Sequence, residues 1–418
     1  MTDATSQGCP VDHQAWAEFR PHEHVGMAAF FEKCRAESPV FFDSGTGYWI
    51  VTRRDDVRAV FSDPDTYSAL NVHDPVRPFP PEVVEMLKDA GFTRDRTQAN
   101  CDRPRHTRIR KASQSFLNLR QFKAREGVIA EMVAEAVAKL HGQSRVDLVD
   151  ALTYELPARV LFLLLGVPDV NARKIKTWAD SRFKMISGDA QGEELMEAAR
   201  EAVDLWNFCG ELIEARKKKP GDDYPSHLLA LHAEDPESIT ANEIHNLTYG
   251  VLLAGHETTT NAMGSILRGL LDDRSQWERL VADPSLIKNA VEEGLRAMPP
   301  VVSWRRKTTR AVTLSGVDIP EGAGLLMSLV SANRDENHFG EAETLEVDRA
   351  DARDHVSFGY GIHFCLGANL ARLEIAALLQ ELVRVFPNMA LVPGSDPGWH
   401  RTMLVRGPSR VLVDLNEA

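Results

Sequence analysis

The sequence predicts a mainly α-helical fold with a minor β part. Three observations carry this. Apolar residues recur at helical spacing through most of the chain, strand-like runs are short and few, and Gly/Pro clusters punctuate the pattern without making repeats or linkers. With 418 residues, 43% of them hydrophobic, the chain can bury a large core. One domain over residues 1–418 is expected, with 1–20 a flexible tail and a β-rich part near 37–66 and 303–330.

In chain order, Glu23–Ala36 is amphipathic. Val40–Phe42 and Tyr48–Thr52 read as a hairpin around Ser44-Gly45, and Asp55–Phe61 as a short helix. Pro81 to Ala90, stopped by Gly91, has the proline-first, glycine-last signature of a helix. Residues 104–140, 149–166, 170–187, 192–217 and 240–271 read as helices. The last opens on Thr240-Ala-Asn-Glu243, a capping box. Val312–Leu314 and Gly324–Leu329 read as strands separated by Pro320-Glu-Gly322. Leu366, Leu370, Leu373, Ile375, Leu378, Leu382 and Val385 trace a helix that ends before Pro387, and Ser409–Leu415 reads as a strand.

Bulk properties exclude several classes. A net charge of −13 argues against general nucleic-acid binding. The five cysteines (Cys9, Cys34, Cys101, Cys209, Cys365) are scattered with no C-x-x-C pair, so neither a zinc site nor a disulfide frame is expected. The start, MTDATSQGCPVDHQAW, has no basic segment followed by an apolar run, so no signal peptide is expected. No apolar stretch reaches the roughly 18–20 residues of a membrane span. A soluble, cytoplasmic protein is the expectation.

One short stretch carries the chemistry. In Phe358-Gly-Tyr-Gly-Ile-His-Phe-Cys-Leu-Gly367, three glycines and a phenylalanine surround a lone cysteine just before a helical pattern. Five such fixed positions coincide by chance with a probability on the order of 10⁻⁴. Gly359 and Gly361 permit a tight loop, and Gly367 lets the following helix lie close to a flat macrocycle. Cys365 therefore sits near a helix N-terminus, where free N–H groups and the helix dipole favour a thiolate. A cysteine held this way looks like the axial ligand of a haem iron. Within the long helix, Ala254-Gly-His-Glu-Thr-Thr-Thr260 combines glycine with β-branched residues that disfavour a helix interior. A purposeful local distortion is expected there. Glu293 and Arg296, at i and i+3, share a helix face. The run Asp102-Arg-Pro-Arg-His106-Thr-Arg-Ile-Arg110-Lys is dense in positive charge, and His106 and Arg110 face the same way.

On these motifs, in this order, the chain resembles the cytochrome P-450 superfamily, the haem-thiolate monooxygenases, in its soluble bacterial form. The resemblance covers nearly the whole chain. It implies a triangular helical prism with small β-sheets, and haem b (iron protoporphyrin IX) bound with Cys365 as the axial iron ligand. It implies cofactor contacts from Ala254, Phe358, Gly359 and Gly367, and propionate contacts from His106, Arg110, Arg306 and His363. Glu257 and Thr258 are implied as the catalytic pair, Glu257 relaying protons from solvent and Thr258 bonding the oxygen ligand's side. Glu293, Arg296 and Arg349 are implied as a buried structural ion-pair network.

The implied reaction is insertion of one oxygen atom from O2 into an apolar or aromatic small molecule, by hydroxylation, O/N-dealkylation or epoxidation. Electrons are expected from a separate ferredoxin and its NAD(P)H-linked reductase, because the cysteines left over cannot ligate an iron–sulfur cluster. A monomer serving secondary metabolism or xenobiotic degradation is expected. The alternatives are a non-catalytic haem-binding sensor, or a haem-thiolate peroxygenase or isomerase. Where the family has Asp-Pro-Pro-Glu, this chain has Asp102-Arg103-Pro104-Arg105, which alters the charge expected of a docking surface. Arg103, Arg105, Arg108 and Lys111 are candidates for meeting an acidic electron donor. The helix at 81–90 is expected over the substrate pocket. The pocket walls are expected from Asn71–Phe92, Asn171–Ser187, Leu253–Thr258, Val301–Trp304 and Met403-Leu404. Arg77, His73 and Arg182 are candidates to pair with a substrate carboxylate, but each is expected to face solvent.

Overall fold

Helical periodicity sets most of the architecture, and local chemistry sets where each helix stops. The computed structural model describes residues 18–22, 26–93, 95–167, 172–187, 190–400 and 402–416. Most of the expected tail therefore lies outside the described residues, as do 23–25 of the first predicted helix, which here spans Ala28–Glu37.

The predicted helix over 104–140 is three: Arg105–Gln114, Leu119–Ala124 and Glu126–Ala138. Asn118 makes the first break, its side chain accepting from the backbone N–H groups of Arg120 and Gln121. The segment at 149–166 starts as a π-helical turn, Val149–Thr153, before Leu156–Leu165, and ends at Gly166 in the left-handed region. The 27-residue helix Gly192–Lys218 packs along Ala172–Ser187.

A five-stranded sheet has the order Val40–Asp43, Tyr48–Val51, Gly324–Ser328, Ser303–Thr308, Tyr67–Ser68. Only the Tyr48–Val51/Gly324–Ser328 pair is parallel, with Trp49 opposite Leu325. A second sheet, Arg145–Asp147, Leu412–Asp414 and Ala390–Leu391, lies outside the predicted β-rich ranges. Leu412–Asp414 falls within the predicted strand Ser409–Leu415, whereas Arg145–Asp147 and Ala390–Leu391, three and two residues long, are too short for an alternating pattern to stand out.

The capping box at Thr240 forms, and Glu243 does more than cap. Its buried carboxylate also takes Arg105 Nε at 3.0 Å and Arg108 Nη2 at 2.6 Å. Burial alone would raise its pKa, but these guanidiniums and the Thr240 N–H bring it down to about 2. This corrects the expectation that Arg105 and Arg108 are free for an acidic partner: both are internal ties, and of the four basic residues proposed for docking only Arg103 and Lys111 are exposed.

The helix Pro81–Asp89 exists but does not roof a cavity. Val83 and Leu87 pack in one apolar cluster with Ala198, Ala199 and Ala202 of the 192–218 helix, whose small side chains admit a close neighbour. Its flanks, Val72–Asp74 and Phe92, face the interior space instead.

Candidate active site

Between the helices lies a cavity of about 510 Å³. Cys365 opens onto it from the loop before helix Ala368–Val385. The loop is closed by Gly359 N donating to Val356 O at 2.8 Å and Cys365 N to Phe358 O at 3.0 Å. Gly359 and Gly361 both have φ of +70°. At Gly361 a Cβ would also stand 2.5 Å from the Phe61 carbonyl oxygen, so no side chain fits. A Cβ on Gly367 would meet only the Cys365 sulfur, at 3.9 Å, because that residue faces the cavity. Burial raises the Cys365 pKa, opposed by the Gly367 N–H and by Arg110 and Arg372. Iron coordination deprotonates such a thiol outright.

A second wall comes from the predicted distortion. The long helix at 240–271 is two, Ala241–Ala254 and Glu257–Asp272, separated at Gly255-His256. Thr258 Oγ1 donates to the Ala254 carbonyl at 3.0 Å, and Thr259 Oγ1 reaches the Gly255 carbonyl at 3.3 Å. These bonds occupy carbonyls at the break. Ala254 and Thr258 both line the cavity.

Glu257 turns elsewhere. It is buried, receiving Lys176 Nζ on Oε2 at 2.6 Å and Asn261 Nδ2 on Oε1 at 2.9 Å. Lys176 Nζ also donates to Asp180 Oδ1 at 2.8 Å, and the Tyr154 hydroxyl to Asp180 Oδ2 at 3.1 Å. Burial works to raise the Glu257 pKa, but the Lys176 charge and hydrogen bonds from Asp180 and Lys176 hold it well below the usual carboxylate range. Asp180 moves the other way: burial and the Glu257 charge push it well up, against Lys176. Two carboxyl groups thus face one ammonium, and their titrations are coupled, Glu257 pushed down and Asp180 up. Lys176 and Asp180 were missed in the sequence; their spacing of four on one helix was the only signal.

At one edge of the cavity, positive charge gathers without an acid. Arg110, Arg306 and His363 line the cavity, with His106 beside them, its ring 4.3 Å from that of His363. Among the described residues neither guanidinium has a carboxylate at salt-bridge distance; Arg306 Nη1 donates to the Arg305 carbonyl at 2.8 Å. His363 Nδ1 meets the Gln98 carbonyl at 3.0 Å, while His363 Nε2 and both His106 nitrogens are buried without partners. Burial and neighbouring arginines depress His106 to about 4 and His363 to about 3, and burial takes Arg306 to about 10. Buried donors and uncompensated cations at one rim fit a macrocycle that carries two carboxylates. The residues present therefore fit haem.

Ion pairs lie beneath. Arg296 donates from Nε to Glu293 Oε2 at 2.7 Å and from Nη2 to Oε1 at 2.8 Å, both side chains being wholly buried. Arg349 Nε joins Glu293 Oε1 at 3.0 Å, and the Glu346 N–H does so at 2.9 Å. The remaining Arg296 donors reach the carbonyls of Asn333, Ala342 and Thr344. A parallel set was not foreseen: Glu292 accepts from Arg372 Nε at 2.7 Å and faces His355, and the Arg372 guanidinium lies 4.6 Å from the Phe358 ring centre. It braces the cysteine loop.

The rest of the lining is mostly apolar, from the predicted segments: Phe92, Phe183, Leu253, Val301, Trp304 and Leu404 among others. Leu161, Leu247 and Leu329 join them from segments that had not been assigned. Met403 is instead fully buried behind the wall. Arg77 faces solvent as expected, but Arg182 and His73 do not: both line the cavity, and Arg182 is only 7% exposed.

Arg306 has a neighbour that faces the other way. Successive strand residues alternate sides, and Arg305, equally buried, donates to the Asp74 carbonyl and, at 3.4 Å, to the Ile186 carbonyl.

A cavity that sets one cysteine thiol, a cationic rim and a broken helix around an apolar space defines a haem-thiolate oxygenase. The chain belongs to the cytochrome P450 family, whose model matches residues 48–411, and it is a monooxygenase of that family. It is 33% identical over 404 residues to 6-deoxyerythronolide B hydroxylase of Saccharopolyspora erythraea, covering 94% of this chain and 97% of the relative. It is 34% identical over 405 residues to Vitamin D(3) 25-hydroxylase of Pseudonocardia autotrophica, covering 96% and 93%. The solved cytochrome P450 CREJ, in complex with (4-ethylphenyl) dihydrogen phosphate, superposes with a TM-score of 0.91 at 36% identity, covering 97% of this chain and 100% of that one. Among the described residues no helix is long and apolar enough to cross a membrane.

Proposed function

We propose that this monooxygenase carries haem b on Cys365 and inserts one oxygen atom from O2 into an apolar or aromatic small molecule in the cytoplasm. A separate ferredoxin with an NAD(P)H-linked reductase supplies the electrons. The observation that carries the reading is the mostly apolar cavity with Cys365 and Thr258 both on its walls. The hydroxylase relatives and the aryl phosphate in CREJ support a substrate with a large apolar part. The haem, when bound, supplies oxygen activation; the chain supplies the thiolate, the proton path and the shape of the pocket. His106, Arg110, Arg306 and His363 hold the propionates, Phe358, Gly359, Gly367 and Ala254 line the macrocycle, and Glu293, Arg296 and Arg349 keep the region rigid.

A spectral titration of the purified protein tests the substrate class. Apolar and aromatic compounds are expected to shift the haem from low to high spin as they displace water. A panel of apolar and aromatic ligands without any shift would overturn it. Comparing 4-ethylphenol with 4-ethylphenyl phosphate in the same assay asks whether Arg182 and His73, on the wall, favour an acidic group.

Proton supply follows from the buried cluster. Asp180, a quarter exposed, connects the cluster to solvent; Glu257, bonded to the same Lys176, relays protons toward Thr258, which lines the cavity. Thr258→Ala is expected to leave NAD(P)H consumption largely intact while product per NAD(P)H falls about tenfold or more and peroxide release rises. Unchanged coupling would remove Thr258 from this role.

Lys176 is a positioning residue. Lys176→Met removes the charge that holds Glu257 down, so burial raises its pKa. Turnover that needs ionised Glu257 then fails at higher pH than in the wild type, and falls about 10- to 100-fold near neutrality. A purely structural role would lower thermal stability and leave the pH profile in place.

A further inference from the structure

Behind the substrate wall, three arginines far apart in sequence converge on a cavity of their own. Arg35, Arg334 and Arg406 line a space of about 120 Å³ together with Gly26, Phe31, Val330 and one acid, Glu343. One water needs only about 10–15 Å³ by the same measure, so a group of several heavy atoms fits.

The charges there do not balance. Arg35 Nε pairs with Glu336 Oε2 at 2.7 Å, and Arg334 Nε lies 3.1 Å from Glu343 Oε2. Glu336 lies outside the lining and Glu343 on it, 45% and 52% exposed, and each pairs with one arginine, which leaves three guanidiniums against two carboxylates. Arg406 has no carboxylate partner among the described residues. Its guanidinium stacks 4.3 Å from the Trp399 ring centre, and its buried Nε has no acceptor. Arg334 Nε, despite its nearby acid, is not aligned for a hydrogen bond either. Burial and the Arg334 charge lower Arg406 to about 10. Arg334 and Arg406 are half-buried, and guanidinium charge partly withdrawn from water with a donor left unpaired is stabilised by an anion.

We propose that this cavity binds one small oxyanion of the phosphate class, phosphate or sulfate, held by Arg406 and Arg334 with Arg35 behind them. Guanidinium forks match the spacing of such oxygens. The site is well placed to matter. Arg406 directly follows Leu404-Val405, and Arg334 follows the short helix Leu329–Ala332; Leu329, Leu404 and Val405 all line the large cavity. The Arg406 N–H also donates to the Pro300 carbonyl at 2.8 Å. A bound anion therefore clamps two segments of the substrate wall from behind.

The test is calorimetric titration of the haem-loaded protein with inorganic phosphate in chloride buffer at fixed ionic strength. Haem propionates then occupy Arg110 and Arg306, which removes that competing cationic rim. One binding event per chain is expected, with affinity weakened at least tenfold in Arg406→Gln and unchanged in Arg120→Gln, an exposed arginine elsewhere. The carbon monoxide spectrum reports whether each variant is folded. If Arg406→Gln does not fold, Arg406→Lys, which keeps the charge but loses the fork, is expected to weaken binding several-fold. No phosphate binding in the wild type, or equal affinity in wild type and the folded Arg406 variant, overturns the proposal.

Discussion

Cys365→Ser is expected to abolish the carbon monoxide difference band at about 450 nm and to bring O2-dependent turnover to background. The loop that presents the side chain is held by the backbone, through Gly359 N to Val356 O and Cys365 N to Phe358 O. Its tight turns rest on Gly359 and Gly361, which the substitution leaves alone. The fold and the cationic rim should therefore survive, and the loss should be specific to the axial ligand. Reduced carbon monoxide spectra with parallel haem quantification check this. Haem retained with the band still at about 450 nm would exclude Cys365 as the ligand.

Glu293→Ala is expected to cost about 3–5 kcal/mol, because it strands Arg296 as a buried charge. Typical stabilities are only about 5–15 kcal/mol, so poor yield and a much lower unfolding midpoint should follow. The carboxylate also holds Arg349 and the Glu346 N–H, so the helix and the loop that carries both residues lose their tie together. Glu293→Gln keeps acceptors for some of these bonds and should fall between. Chemical denaturation of the haem-loaded protein measures both; a loss under about 1 kcal/mol for the alanine variant would mean that the backbone carbonyls around Arg296 suffice.

Much of this site was legible because its signals are local. The cysteine loop, the Thr240–Glu243 box and the Glu293/Arg296 pair each declare themselves within ten residues. The glycine and threonine run at 254–260 announced a distortion, and the helix does break there. What stayed hidden is what only tertiary structure brings together. Lys176 meets Glu257 across 81 residues, and Arg372 meets Glu292 across 80. Arg105 and Arg108 read as a basic surface because Glu243 lies more than 130 residues away. Arg182 read as solvent-facing because its helix carries lysines and arginines on both faces, and charge alone does not say which one turns inward. Of the second sheet only the strand inside Ser409–Leu415 was legible; Arg145–Asp147 and Ala390–Leu391 are shorter than an alternation pattern needs.

Arg305 and Arg306 act as the two arms of a lever with a single peptide as fulcrum. One arm grips the backbone at Asp74 and Ile186, where loop and helix border the substrate space; the other reaches the cofactor rim, and the Arg306 carbonyl is itself held by Asn71 Nδ2 at 2.9 Å. The strand between them is locked by pairing with Leu325 and Leu326, so it tilts more easily than it stretches. A ligand that displaces the cavity lining at Asp74 and Ile186 is therefore expected to be felt at the rim without touching it. Bulky guests that press on these two residues should perturb the haem spectrum even where they do not reach the Cys365 side of the cavity.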